Sequence, residues 1–214
     1  MLYLINRYRF LFLFVLLICF CFFKSMNVDD LWGRLNDLAF IGLMILSILL
    51  IGHQEKWLLT SLFLVTGVQL LLLVFHALLT PDIANIFNYL LGSCFFLVMM
   101  VACIYYTFQD ETIGVTTLFG SISAYLLLGL MFAYVFNWLE MMSPGSFEII
   151  NAKAPTDAIY YSFVTMTTLG FGDIIPVTPL AKTLTWFEAF FGQCYMAVII
   201  GQLIGRYVAD IKKA

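Results

Sequence analysis

The sequence predicts an all-α membrane protein with six transmembrane helices and a short re-entrant helix between the fifth and the sixth. Three observations carry that prediction. The chain of 214 residues is 63% hydrophobic and 11% charged, where a soluble domain carries about 25% charge. Its apolar residues collect into six runs, and a bilayer core takes about 20 helical residues. Between the last two runs stands a break, TMTTLGFGDIIP at 165–176. Non-helical backbone at membrane depth is tolerated only inside protein or along a wet path, because elsewhere its amides and carbonyls lose water.

The runs follow in order. The first is Tyr8 to Phe23 and the second Leu38 to Gly52, both short. The third is Trp57 to Leu79, the fourth Ile83 to Phe108, the fifth about Ile113 to Met142, and the sixth about Leu180 to Ala209. The connections at 53–56 and 80–82 are tight, so neighbouring helices should form antiparallel hairpins. The first run has the basic flank (Arg7, Arg9) and apolar centre of a signal peptide. Lys24-Ser25-Met26-Asn27 follows it in place of a small-x-small cleavage pattern, so it reads as a retained anchor helix.

Six crossings put both termini on one side. With the N-terminus cytoplasmic, the inner side holds Arg7, Arg9, Lys56, Arg206, Lys212 and Lys213; the outer side holds Lys24, Arg34, Lys153 and Lys182. That small excess favours cytoplasmic N- and C-termini in a plasma (inner) membrane. The net charge of −3 and the lack of a basic tract argue against a nucleic-acid partner. Cys19, Cys21, Cys94, Cys103 and Cys194 all lie in apolar runs and read as small buried hydrophobes.

The least apolar connection, SPGSFEIINAKAPT at 143–156, should lie outside the cell. After it the text reads APTDAIYYSFVTMTTLGFGDIIP. Pro155 and Thr156 resemble a helix start, with Thr156 as cap and Asp157 suited to the positive N-terminal end. From Asp157 to Thr167 is about half of what a crossing needs, so this helix enters and stops. Its C-terminal end then points toward the membrane centre with a partial negative charge of about half an electron. In the break, Gly170 and Gly172 permit backbone conformations that other residues avoid. Successive carbonyls can then face one side, and a line of carbonyl oxygens replaces the hydration shell of a cation. The Thr168 hydroxyl extends that line.

The segment YYSFVTMTTLGFGD resembles the pore helix and selectivity filter of the tetrameric potassium channel superfamily, whose filter reads Thr-Val-Gly-Tyr-Gly-Asp. Leu169 stands for the Val and Phe171 for the Tyr, and both replacements occur in that family. The likeness is strong over 157–205, plausible for the outer helix at 113–142, and only architectural before that. It implies a sensor-like four-helix region at 1–110 and a pore domain at 111–214. The latter divides into outer helix 113–142, pore helix 157–167, filter 168–173 and inner helix 180–209.

Carried over residue by residue, the resemblance implies potassium coordination by the Thr168 hydroxyl and by the carbonyls of Thr168, Leu169, Gly170 and Phe171, with Gly172 closing the filter. The side chains of Leu169 and Phe171 then point into the packing behind it. Thr167, Asp173, Tyr160 and Tyr161 stand where the family supports its filter. Tyr160 is the candidate partner of Asp173. Phe171 lacks the hydroxyl that braces the family's Tyr.

In the last helix, Gly192 falls where similar channels carry a hinge glycine, with close packing as the alternative reason for it. Gly201 and Gly205 form a GxxxG that permits close approach near the cytoplasmic end. Glu188 is the most informative charge, because intramembrane acids are rare and usually functional. Glu188, Ala189, Gly192 and Gln193 match a run frequent in simple bacterial potassium channels, and Glu188 reads as a buried acceptor bracing the pore helix or filter.

A voltage sensor needs several Arg or Lys at three-residue spacing, since one charge through 100 mV gives about 2.3 kcal/mol. The fourth run contains no charged residue, and Asp110 and Glu111 follow it. His53 and His76 read as interfacial. One chain supplies one filter strand, so the resemblance implies a homotetramer in lipid that passes potassium down its gradient without a cofactor. The Walker sequence GxxxxGK[ST] does not occur. A weakly selective monovalent cation channel is the alternative that Phe171 motivates. A transporter would show paired broken helices. An enzyme would place His, Asp or Glu clusters inward, whereas Glu140 and Glu188 pair with no His. A non-conducting auxiliary subunit completes the alternatives.

Overall fold

The computed structural model describes residues 2–25, 40–47, 60, 64, 66–68, 81–109, 114–150 and 158–211. Its elements in chain order are α1 (Leu2–Ser25), α2 (Pro81–Gln109), α3 (Val115–Met142), β1 (Phe147–Ile149), α4 (Ala158–Met166), β2 (Ile174–Pro176) and α5 (Pro179–Ile211). Residues 40–47 are also helical, as are 60, 64 and 66–68, which is as far as the second and third predicted runs are described. The connection at 53–56, the helix start at Pro155, Thr156 and Asp157, and His53, His76, Asp110 and Glu111 lie outside the described residues.

Three described helical stretches are long and apolar enough to cross a membrane: Asn85–Thr107, Thr116–Met142 and Pro179–Gln202. α4 spans 9 residues, less than half the length needed to cross. α1 contains a break at Tyr8, with φ −114° and ψ 18°, at the position where the apolar run begins.

Helix packing in lipid is driven by van der Waals fit, because lipid tails are as apolar as the side chains they would replace. α1 offers Phe10, Leu13, Leu17 and Phe20, all buried and spaced three and four residues apart, as one helical stripe requires. α2 answers with Phe95, Phe96, Met99, Ala102, Cys103 and Tyr106, and α3 with Ala124, Leu127, Leu130 and Tyr134. Phe40 is central to the cluster. Its ring stacks on Tyr134 at 5.2 Å and meets Phe96 at 5.6 Å and Phe20 at 5.8 Å. Gly92 admits the Tyr134 ring: a Cβ there would lie 2.5 Å from Tyr134 Cδ1.

The other side of α3 holds a second core. Leu128, Phe132, Ala133, Phe136 and Leu139 pack with Phe147, Ala158, Tyr161, Met166 and Ala181. α3 is thus the shared wall between the front helices and the break region. β1 and β2 pair antiparallel, with Phe147 opposite Pro176, Glu148 opposite Ile175 and Ile149 opposite Ile174. The turn into β1 is held by Glu140, whose carboxylate accepts from Gly145 N at 2.7 Å and Phe147 N at 3.1 Å. Gly145 has φ +84°, the left-handed region that favours glycine.

Candidate functional site

The site starts at the end of α4. Thr167 N still donates to Phe163 O at 3.0 Å, as the helix requires. The next residue leaves it: Thr168 has φ +61° and its amide donates to Thr165 O. Leu169 N and Gly170 N both donate to Val164 O, at 3.0 and 3.4 Å. Positive φ recurs at Thr168, Gly170 and Gly172 (+61°, +55° and +73°), and among the described residues Leu169 and Phe171 between them are not positive. Alternating hands at successive residues straightens a strand and brings its peptide groups to a common side. Here the amides of Leu169 and Gly170 face back to α4.

Side chains anchor both ends of this loop. The Thr167 hydroxyl donates to Phe163 O. At the other end, Tyr160 OH donates to Asp173 Oδ2 at 2.6 Å, Ile174 N donates to Asp173 Oδ1, and Ile150 N donates to Asp173 O at 3.0 Å. The bond to Asp173 pushes the Tyr160 phenol above its ordinary value. Phe171 stacks on Tyr160 with 6.5 Å between centroids and 15° between planes. In the single chain Leu169 and Phe171 remain 61% and 65% exposed, so the packing behind them is mostly not supplied by their own chain.

Tyr160 and Tyr161 face different neighbours. Tyr161 packs on Phe136 and Phe147, each at 5.2 Å, and its hydroxyl shares a 2.8 Å hydrogen bond with Thr185 Oγ1 of α5. It steadies α4 against α3, β1 and α5, whereas Tyr160 meets the loop.

Glu188 is fully buried. Its Oε1 lies within hydrogen-bond distance of Ser162 Oγ, and Ser162 Oγ also donates to Gly129 O at 2.7 Å. Sequence reasoning passed over Ser162 and Gly129. Ser162 is the one hydroxyl between Tyr161 and Val164 in the quoted pore-helix string, and that was the available signal. Gly129 lets α4 come close, since a Cβ there would lie 2.8 Å from Phe163 Cε1. Two tyrosines add to the frame: Tyr125 OH donates to Met166 O at 3.4 Å and Tyr195 OH to Ser121 O at 2.6 Å.

α5 runs without a break through Gly192. A Cβ at Gly192 would lie 2.5 Å from Met166 Cγ and 3.0 Å from Met166 O, so the helix meets the end of α4 by close backbone approach. Gly201 and Gly205 have no atom within 4 Å of such a Cβ. The α5 span is 17% buried in the single chain, against 61% for the α3 span.

Comparison with known proteins bears on this arrangement. The family described as "Ion channel" matches residues 93–209. The inward rectifier potassium channel Kirbac3.1 of Paramagnetospirillum magnetotacticum is 36% identical over 87 residues, which is 39% of this chain and 27% of that protein. A voltage-gated potassium channel of Aeropyrum pernix is 31% identical over 90 residues, 42% of this chain and 28% of that one. Two-pore potassium channel 5 of Arabidopsis thaliana is also 31% identical over 90 residues, 42% of this chain and 20% of that one. The matches thus span between a fifth and just over a quarter of these relatives' lengths. No solved structure matches. With the matched region running from α2 through the break to the end of α5, the chain belongs to the ion channel family and, with these relatives, to the potassium channel superfamily.

Proposed function

We propose that this chain is one of four identical subunits of a passive potassium-selective channel with six membrane crossings, in which 158–166 is the re-entrant pore helix and 168–173 the filter. One observation carries the reading. Backbone hands alternate at Thr168, Gly170 and Gly172 while the amides of Leu169 and Gly170 are bonded back to Val164 O. The carbonyls of Thr168 and Leu169, which share peptide units with those amides, then face the opposite side, toward a fourfold axis, and the alternation at Gly170 and Gly172 supports the same direction for those of Gly170 and Phe171. Potassium sheds its water there, moves in single file past Phe171, Gly170, Leu169 and the Thr168 hydroxyl, and is pushed on by repulsion from the next ion. The C-terminal end of α4 adds its partial negative charge at the inner end of that line.

The exposed α5 face, with Phe187, Phe190, Phe191 and Ile204, supports assembly with further copies and lipid. Gly201 and Gly205 suit the narrow inner crossing. The charge-free fourth run supports gating without a voltage sensor. Placement in the plasma (inner) membrane with both termini cytoplasmic follows from the crossing number and the distribution of basic residues.

A weakly selective cation channel is the second reading. Phe171 is held by stacking on Tyr160, whose hydroxyl is already given to Asp173. The reversal potential of purified protein in a planar bilayer, potassium against sodium, separates the two. A reversal near the potassium equilibrium potential supports the first. Current reversing near zero supports the second, and a tetramer that never conducts under any condition overturns both.

A further inference from the structure

Ser162 carries a single proton, yet its Oγ sits within hydrogen-bond distance of two oxygens, Gly129 O and Glu188 Oε1. The Gly129 carbonyl can only accept. An ionised Glu188 can also only accept. The two would compete for one proton, and the loser would leave an oxygen facing an oxygen in a dry interior. Among the described residues, Glu188 Oε2 has no hydrogen-bond partner either.

The surroundings offer an ionised Glu188 no compensation. α3 presents Tyr125 and α4 presents Tyr161 as the titratable groups nearest to it. Tyr125 OH is given to Met166 O, and Tyr161 OH is shared with Thr185 Oγ1. A buried carboxylate with no more than a share in one hydroxyl donor is a costly group for a protein to hold.

We propose that Glu188 is carried as a neutral carboxylic acid that donates to Ser162 Oγ, which donates in turn to the Gly129 carbonyl. The acid proton and the Ser162 proton then clasp α5, α4 and α3 in one relay. Each of the two short O···O contacts then has one hydrogen between its oxygens: acid to hydroxyl, hydroxyl to carbonyl. Glu188 is a positioning residue that acts through Ser162, and it is a donor. The clasp stands on hydrogen-bond geometry alone. Only its consequence for ion flow rests on the channel reading.

Raising the pH removes the proton and leaves the uncompensated carboxylate. Since the folded chain needs this proton and the unfolded chain does not, stability is lost as pH rises.

The first test is infrared spectroscopy of the purified protein at neutral pH. The expected result is a carbonyl stretch of a protonated carboxylic acid that is lost in Glu188→Gln. A spectrum in which the only signal removed by that substitution is a carboxylate overturns the proposal. If Glu188→Gln does not fold, Ser162→Ala serves instead. It should shift the acid band by removing its acceptor, and an unmoved band overturns the proposal. The second test is the apparent melting temperature across pH. The wild type should lose stability progressively as pH rises from the ordinary carboxyl range, where the unfolded chain gives up this proton, whereas Glu188→Gln, whose amide donates to Ser162 at any pH, should show a flatter profile. Tyr125 and Tyr161 are present in both proteins, so equal profiles overturn the proposal. Neither test reads current, so a silent channel leaves the outcome interpretable.

Discussion

Gly192→Ala separates close packing from hinging. The new Cβ would lie 2.5 Å from Met166 Cγ, 3.0 Å from Met166 O and 3.5 Å from Met166 Cα. Two of these atoms are backbone at the end of α4, and Met166 is fully buried, so the neighbour has little room to give. Overpacking of this kind costs about 1–3 kcal/mol. Alanine recovers about 1 kcal/mol of helix propensity over glycine. The net is a loss of up to about 2 kcal/mol per chain. The assay is the apparent melting temperature of the purified protein, read by tryptophan fluorescence, beside single-channel recording. The expected outcome is a lower melting temperature. Displacement of α4 should also disturb selectivity, because Met166 leads directly into Thr167 and Thr168. A melting temperature at or above the wild type, with open times alone altered, would refute the packing argument and favour a flexible joint.

Three further outcomes follow from the same coordinates. Gly92→Ala drives a methyl into the Tyr134 ring, a cost of about 1–3 kcal/mol offset by about 1 kcal/mol of helix propensity, and should destabilise the front cluster by up to about 2 kcal/mol, seen as a lower melting temperature with the reversal potential unchanged. Gly170→Ala meets no atom of the described residues of its own chain within 4 Å, so its effect within the chain is conformational. At φ +55° the added Cβ costs about 1–2 kcal/mol, and the reversal potential should move toward zero while the protein still assembles. Glu140→Leu leaves Gly145 N and Phe147 N without their acceptor, a loss of about 1–3 kcal/mol; proteolysis should then cut the 143–150 turn faster.

Helix positions were largely legible because the bilayer fixes a length and apolar runs announce it. The fourth run, set at Ile83 to Phe108, became Pro81–Gln109, and the fifth and sixth shifted by similarly small amounts. The short helix, expected over 157–167, is described from Ala158 to Met166, with its expected start beyond the described residues. The ribbon of β1 and β2 was not foreseen. Three-residue strands have too few side chains to show a period, and their pairing joins segments on either side of α4 and the break. The pairing of Tyr160 with Asp173 could be anticipated by resemblance, whereas the direction of Tyr161 could not. Adjacent residues on a helix diverge by about 100°, and which one meets the loop depends on how α4 is rotated against α3. The role of Ser162 was hidden for a related reason: its partners come from two other helices, 33 and 26 residues away in the chain.

The ribbon ties the outer lip of the loop to a long helix. Asp173 and Ile174 are bonded to the strand that leaves α3 only a few residues after its end, through Ile150 N to Asp173 O and the pairing of Ile149 with Ile174. Backbone hydrogen bonds stretch little, so these bonds couple the Asp173 end of the loop to the C-terminal end of α3. On the channel reading proposed above, a tilt of α3 is passed on to Asp173 through these backbone bonds.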